Sequence, residues 1–163
     1  MNNKMDEKPS KNVKKKDKTC KLCFIKEQTD KICMNAVKEN WRELQFVNKQ
    51  TPEICMAAIT RNGKALQYVR EQTTEMCIRA VRCKCVALQY VKIQTPEICL
   101  EAIEHWGNTI KYVKEQTPEL CMAAIRQDRG NAFQYIISQT TEMCMEAVKQ
   151  NGNKLQYFKR QTK

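Results

Sequence analysis

The dipeptide Gln-Thr recurs at residues 28/29, 50/51, 72/73, 94/95, 116/117, 139/140 and 161/162, at intervals of 22, 22, 22, 22, 23 and 22 residues. Self-similarity at a short fixed period means that one supersecondary unit is repeated, and it constrains the fold more than any single residue can. Six full units begin at Thr29, Thr51, Thr73, Thr95, Thr117 and Thr140, and the fifth carries one extra residue at its central turn. A half unit precedes them, because Leu22, Phe24 and Ile25 before Lys26-Glu27-Gln28 match the LQYVKEQ end of the later copies.

In the second unit, TPEICMAAITRNGKALQYVREQ, the apolar residues Ile54, Cys55, Ala58 and Ile59 fall at i, i+1, i+4 and i+5. That is the stripe of a helix and not the alternation of a strand. Thr51 before Pro52-Glu53 supplies an N-cap hydroxyl, a proline at the first helical position and a carboxylate near the positive helix end. Asn62-Gly63 is expected to end this helix in a left-handed turn, and Asn151-Gly152 to do the same in the last unit. Ala65, Leu66, Tyr68 and Val69 make a second stripe, which predicts a second helix running to about Gln72. A leucine-rich repeat has a similar period, but it needs an extended segment for which the caps and the two stripes leave no residues. The reading is all-α: an α-solenoid of about six 22-residue helix-turn-helix repeats plus an N-terminal half repeat, spanning residues 19–163. One unit alone has too little apolar surface to offset the entropy of ordering it, so the units must stack on one another.

Ten cysteines in 163 residues raise the question of disulfides or a metal. Cys33, Cys55, Cys77, Cys99, Cys121 and Cys144 share one position on the first helix's apolar stripe, which reads as a buried column of small side chains. Evenly spaced single cysteines do not converge tetrahedrally on zinc, and no metal or other cofactor is expected. Cys20 and Cys23 form C-x-x-C in the half unit, and Cys83 and Cys85 form C-x-C at the third unit's turn. About three layers separate the two pairs, too far for one shared metal site. The start of the chain has no apolar leader, which argues for reduced thiols, and whether either pair is redox active is left open. Phe24, Phe46, Tyr68, Tyr90, Tyr112, Tyr135 and Tyr157 form an aromatic column, read as packing rather than as a base-stacking platform. The Gln of each Gln-Thr is expected to satisfy open carbonyls at the junction between units.

With the framework spent on folding, function in such an array falls to the variable positions. Arg70, Lys92, Lys114 and Lys159 share one position in the second half of the unit, and Lys38, Arg82, Arg126 and Lys149 share another on the first helix. These rows could track phosphates. Against that, residues 28–163 carry 20 positive and 14 negative charges, only +6 in total, with acids intermixed as on any solvated face. His105 reads as a surface or turn residue, and Trp41 and Trp106, both at turns, are candidate exposed binding anchors. Residues 1–18 hold seven lysines and three acids, and they are expected to be a disordered tail able to meet a polyanion.

Two serines, one histidine and four glycines leave no material for a Ser/His triad, a phosphate-cradling loop or a His-rich metal site, so no enzyme activity is expected. No apolar run approaches the roughly 18 residues that span a bilayer, and the expectation is a soluble intracellular protein without a membrane partner.

The consensus Q-T-P-E-I-C-x-x-A-I-x-x-N-G-x-A-L-Q-Y-V resembles the short helical repeats of multicopy proteins of giant DNA viruses of amoebae, the mimivirus-like group, across about residues 19–163. The departures are Asp30-Lys31 in the first unit, Cys83-Lys84-Cys85 and Trp106-Gly107 in place of Asn-Gly, and the insertion around Asp128-Arg129. The resemblance implies a viral protein of the host cytoplasm or the virion, in a class largely of unknown function. The residues themselves point first to a non-enzymatic scaffold that binds a protein partner. Nucleic-acid binding through the basic rows and the lysine-rich tail is the alternative. Self-assembly through the repeat ends is a third reading, drawn from Gln161-Thr162-Lys163, where a further first helix would begin.

Overall fold

The computed structural model describes residues 20–154. Each Thr that opens a unit holds extended backbone, and its Oγ1 accepts the N–H three residues on at 3.2–3.4 Å. The helices so capped are α1 (Asp30–Glu39), α2 (Pro52–Arg61), α3 (Thr74–Cys83), α4 (Pro96–His105), α5 (Pro118–Gln127) and α6 (Thr141–Gln150). Proline stands in the first turn of α2, α4 and α5, where its missing N–H has no intrahelical partner to lose.

The second stripe of each unit folds as a short 3₁₀-helix and not as the longer α-helix its periodicity suggests. These segments are Trp41–Phe46, Gly63–Tyr68, Cys85–Tyr90, Gly107–Tyr112 and Asn131–Tyr135, with single turns at Leu22–Phe24 and Gly152–Lys154. In the second unit the helix stops at Tyr68, and Val69 is already extended with φ −75° and ψ 121°. Ala65, Leu66 and Val69 are all buried, because at three residues per turn Leu66 and Val69 lie on the same side. The same spacing therefore served two helix types, and the tighter one, rising about 2.0 Å per residue, reaches the next Thr in fewer residues.

The turn also differs from expectation. Asn62 is extended, with φ −160°, and its Oδ1 accepts the Lys64 N–H at 3.0 Å, which makes it the cap of the following 3₁₀-helix. Asn40 and Asn151 cap Arg42 and Asn153 in the same way. Gly63 does not adopt a left-handed conformation; among the described residues positive φ occurs only at Arg129 and Gly130, in the fifth unit's insertion. Glycine is needed at Gly63 and Gly107 for a different reason, the close approach of the next unit's helix. A Cβ on Gly107 would stand 2.5 Å from the Ala124 carbonyl oxygen, and one on Gly63 would overlap that of Ala80. Gly152, with no described helix after it, has open space at the same place.

Contacts join successive units: α1 with α2, α2 with α3, and so on to α5 with α6, while each six-residue 3₁₀-helix packs on the next. The architecture is thus all-α, built by nearest-neighbour stacking in the manner of an α-solenoid, with no strand among the described residues. One core runs through it, made in the second unit by Ile54, Cys55, Ala58, Ile59, Ala65, Leu66 and Val69 and by their equivalents elsewhere. Ile32, which matches Ile54, is 38% exposed, and no α-helix among the described residues stands before α1 to cover it.

Gln supplies the polar counterpart of this core. Gln72 Nε2 donates to Leu66 O in its own unit and Tyr90 O in the next, at 3.2 and 3.0 Å, while its Oε1 accepts from Lys92 N at 2.9 Å. Gln28, Gln50 and Gln94 repeat all three bonds. Gln116 does so across the insertion, bonding Ile110 O, Tyr135 O and Ile137 N. The backbone groups freed where each 3₁₀-helix stops are therefore satisfied across the unit boundary. The expected junction role of Gln holds and extends further, since each amide bolts two units together.

Candidate interaction surface

The cysteine column is buried, each of the six residues at 2–3% exposure. The thiols of Cys33, Cys55, Cys77 and Cys99 donate to the Oε1 of the Gln five residues earlier. Burial pushes all six thiols above the usual cysteine range. They are packing residues with weak donors and are poor nucleophiles.

Of the basic rows, most members that the structure describes are engaged by the protein itself. Arg70 bends back onto the previous unit, donating to Asn48 O at 2.7 Å and Val47 O at 2.9 Å. Lys114 does the same to Val91 O and Lys92 O, and Lys92 to Arg70 O. Arg82 forks onto Glu101 of the next unit, Nε to Oε1 at 2.8 Å and Nη2 to Oε2 at 3.0 Å. Arg126 reaches Glu146 at 3.5 Å. The Arg82 guanidinium holds Glu101 below the usual carboxylate range, with His105 adding to it from 3.3 Å. The Gln150 amide, with Arg126 and Lys149 nearby, does so for Glu146. Lys38 and Lys149 are exposed at the ends of α1 and α6. Lys159, Tyr157, the tail at 1–18 and the chain end at 161–163 lie outside the described residues.

The two tryptophans separate. Trp106 is 62% exposed at the end of α4, as an anchor would be. Trp41 is not free: it is half-buried, stacked on Tyr68 of the next unit at 6.0 Å between centroids, with the Arg42 guanidinium over its ring at 4.4 Å. It occupies the glycine position of the first unit and is spent on packing between layers. The C-x-x-C also departs from expectation, since Cys20 and Cys23 are joined in a disulfide, which no other described cysteine forms.

One surface feature escaped the sequence reading. The residue after each column cysteine is apolar in all six units: Met34, Met56, Ile78, Leu100, Met122 and Met145. All six are partly or largely exposed, with Leu100 at 39% and Met145 at 66%. Three residues earlier on the same helices stand Glu53, Glu75, Glu97, Glu119 and Glu142, all exposed. An i, i+3 pair shares one helix face, so an apolar row runs along the stack with an acidic row beside it. At the helix starts, backbone N–H groups and the Thr51 and Thr117 hydroxyls hold Glu53 and Glu119 ionised to lower pH than usual. The signal was present in the sequence as an invariantly apolar position, but periodicity alone assigns such a residue to the edge of the core stripe.

Two more residues break the pattern inside. Ala65, Ala87 and Ala132 share a buried position that Glu43 and Thr109 fill in the first and fourth units. Glu43 Oε2 accepts the N–H groups of Lys21 at 3.1 Å and Leu22 at 2.9 Å, closing the start of the half unit. Thr109 Oγ1 has no hydrogen-bond partner among the described residues.

Comparison with known families finds a match to a domain of unknown function, DUF4116, over residues 30–73. That stretch covers 44 residues, two consecutive units from the start of α1 to the Thr that caps α3. No curated protein and no solved structure matches the chain. No helix among the described residues is long and apolar enough to cross a membrane.

Proposed function

We propose that the protein is a non-enzymatic scaffold that binds a protein partner along the apolar row of Met34, Met56, Ile78, Leu100, Met122 and Met145. The observation that carries this reading is that these positions stay apolar in every unit at the rim of the core, with Leu100 and Met145 exposed and Met34, Met56, Ile78 and Met122 half-buried against it. Methionine adapts its shape to varied apolar surfaces and is common where binding has to tolerate sequence variety. The acidic row beside it suits an amphipathic segment whose apolar face is flanked by Lys or Arg. Trp106, exposed at the end of α4, adds an aromatic anchor. The setting we assign is the interior of a host cell, following the resemblance to repeats of giant viruses.

Nucleic-acid binding is the weaker reading, because Arg70, Lys92, Lys114, Arg82 and Arg126 already serve backbone carbonyls or carboxylates within the array. The test is affinity capture of the tagged protein from host-cell lysate, split into nuclease-treated and untreated halves and repeated with Met56→Glu/Leu100→Glu/Met122→Glu. A stoichiometric protein that survives nuclease and moderate salt and is lost with the triple variant supports the scaffold. Material that disappears with nuclease, or that binds the triple variant undiminished, refutes it.

A further inference from the structure

The described half unit contains the disulfide, and beside it lies a buried carboxylate with no counterpart in the later units. Cys20 and Cys23 are three residues apart with Cα atoms 6.0 Å from each other. Cys23 is exposed and Cys20 only partly so. Glu43, 1% exposed, brings Oε2 to 3.8 Å from Cys20 Sγ while it also holds the Lys21 and Leu22 amides. The Cys23 N–H points at the same sulfur from 3.1 Å. A sulfur in a disulfide has no proton to offer the carboxylate, whereas a thiol has one. Cys20 is thus placed to gain a hydrogen bond when it is reduced and to lose it when it is oxidised.

We propose that Cys20 and Cys23 form a reversible dithiol–disulfide site that exchanges with low-molecular-weight thiols of the glutathione kind, with Glu43 as its positioning residue. In the reducing direction a glutathione thiolate attacks the exposed Cys23 sulfur and the Cys20–Cys23 bond breaks. Its electron pair leaves on Cys20, which takes up a proton and donates the resulting S–H to Glu43 Oε2. A second glutathione thiolate attacks the glutathione sulfur of the mixed disulfide and releases Cys23, which is protonated in turn. Two thiols are oxidised to one glutathione disulfide, the protein disulfide is reduced to two thiols, and the two protons come from the two glutathiones. The six column cysteines take no part, being buried and pushed toward the thiol form.

The experiment equilibrates the full chain in buffers from pure glutathione to pure glutathione disulfide, quenches with a thiol alkylator and reads intact mass and the alkylation of each cysteine. Cys20 and Cys23 are expected to lose reactivity together at an intermediate buffer ratio, with the mass falling by two hydrogens, while Cys83 stays free of any partner within the chain. Glu43→Gln retains an acceptor for the two amides but weakens the bond from the thiol, so the equilibrium constant for disulfide formation is expected to rise about fivefold to tenfold. Cys83→Ser is expected to leave it unchanged. Cys20→Ser, which keeps Glu43 and both amide bonds, is expected to trap glutathione on Cys23 as an unresolved mixed disulfide. The proposal falls if Cys20 and Cys23 are alkylated like Cys83 in every buffer, or if they stay joined in pure glutathione. An unmoved equilibrium in Glu43→Gln, or faster capture of glutathione by Cys20 in Cys23→Ser than by Cys23 in Cys20→Ser, equally overturns the assigned roles.

Discussion

Removing one junction amide tests whether the Gln ladder holds the array together. Gln72 sits at mid-array and serves Leu66 O, Tyr90 O and Lys92 N, so Gln72→Met strands the Tyr90 carbonyl and the Lys92 amide and takes one of two donors from Leu66 O, which keeps the Val69 N–H, while nearly conserving volume. A net backbone hydrogen bond is worth about 1 kcal/mol and a stranded buried group about 1–3 kcal/mol. Gln72 is half-buried, which lets water recover part of the loss. The expected destabilisation is therefore about 2–4 kcal/mol, or roughly 5–15 °C in Tm for a chain of this size. The control is Gln67→Met, where an exposed amide reaches only Lys64 O at 2.9 Å and about 0.5 kcal/mol or less is at stake. Urea unfolding followed by far-ultraviolet circular dichroism gives both numbers, and the slope m reports whether the array still melts as one cooperative unit. If the two variants agree to within about 0.5 kcal/mol, the ladder is ornamental and stacking rests on apolar contact alone.

Thr109→Ala restores the alanine found in three other units and removes a buried hydroxyl without a partner, so it should raise stability by about 1 kcal/mol in the same urea assay. Gly107→Ala should cost about 1–3 kcal/mol, since its Cβ would press on the α5 backbone, whereas Gly152→Ala, facing open space, should be neutral or slightly stabilising. Thermal melts of wild type and Glu101→Gln over a pH series should differ most near neutrality. Because Arg82 lowers the folded-state pKa of Glu101 below the ordinary 4.5, its stabilisation is complete above that value. It is lost as pH falls through the lowered folded value, so the two curves should converge at acid pH; a gap that widens on acidification would reverse the sign.

Much of this fold was legible in one line of text. Thr, Pro and Glu mark each α-helix start through local chemistry, and six copies of the stripe agree on which residues are inside. The second half of the unit was less legible, because Ala65, Leu66 and Val69 suit an α-helix and a 3₁₀-helix equally, and the choice depends on Gln50 and Gln72 reaching backbone groups some 20 residues away in sequence. Asn62-Gly63 was misleading for a related reason. The pair usually signals a left-handed turn, but here Asn caps the next helix and Gly makes room for a neighbour that no local window contains.

The surface followed the same division. The basic residues were visible as rows, yet their engagement with carbonyls and acids of adjacent units depends on how one layer sits over the next. Trp41 read as an exposed anchor until Tyr68 of the following unit covered it. Period, caps and apolar stripes act within a few residues along the chain, so they determine the repeat, its stacking and its core without further information. Side-chain partners across a layer boundary are separated by a whole repeat, and their geometry is set by the packing distance between units. Only the folded array decides which cations remain available, which apolar residues stay exposed, and that Cys20 meets Glu43.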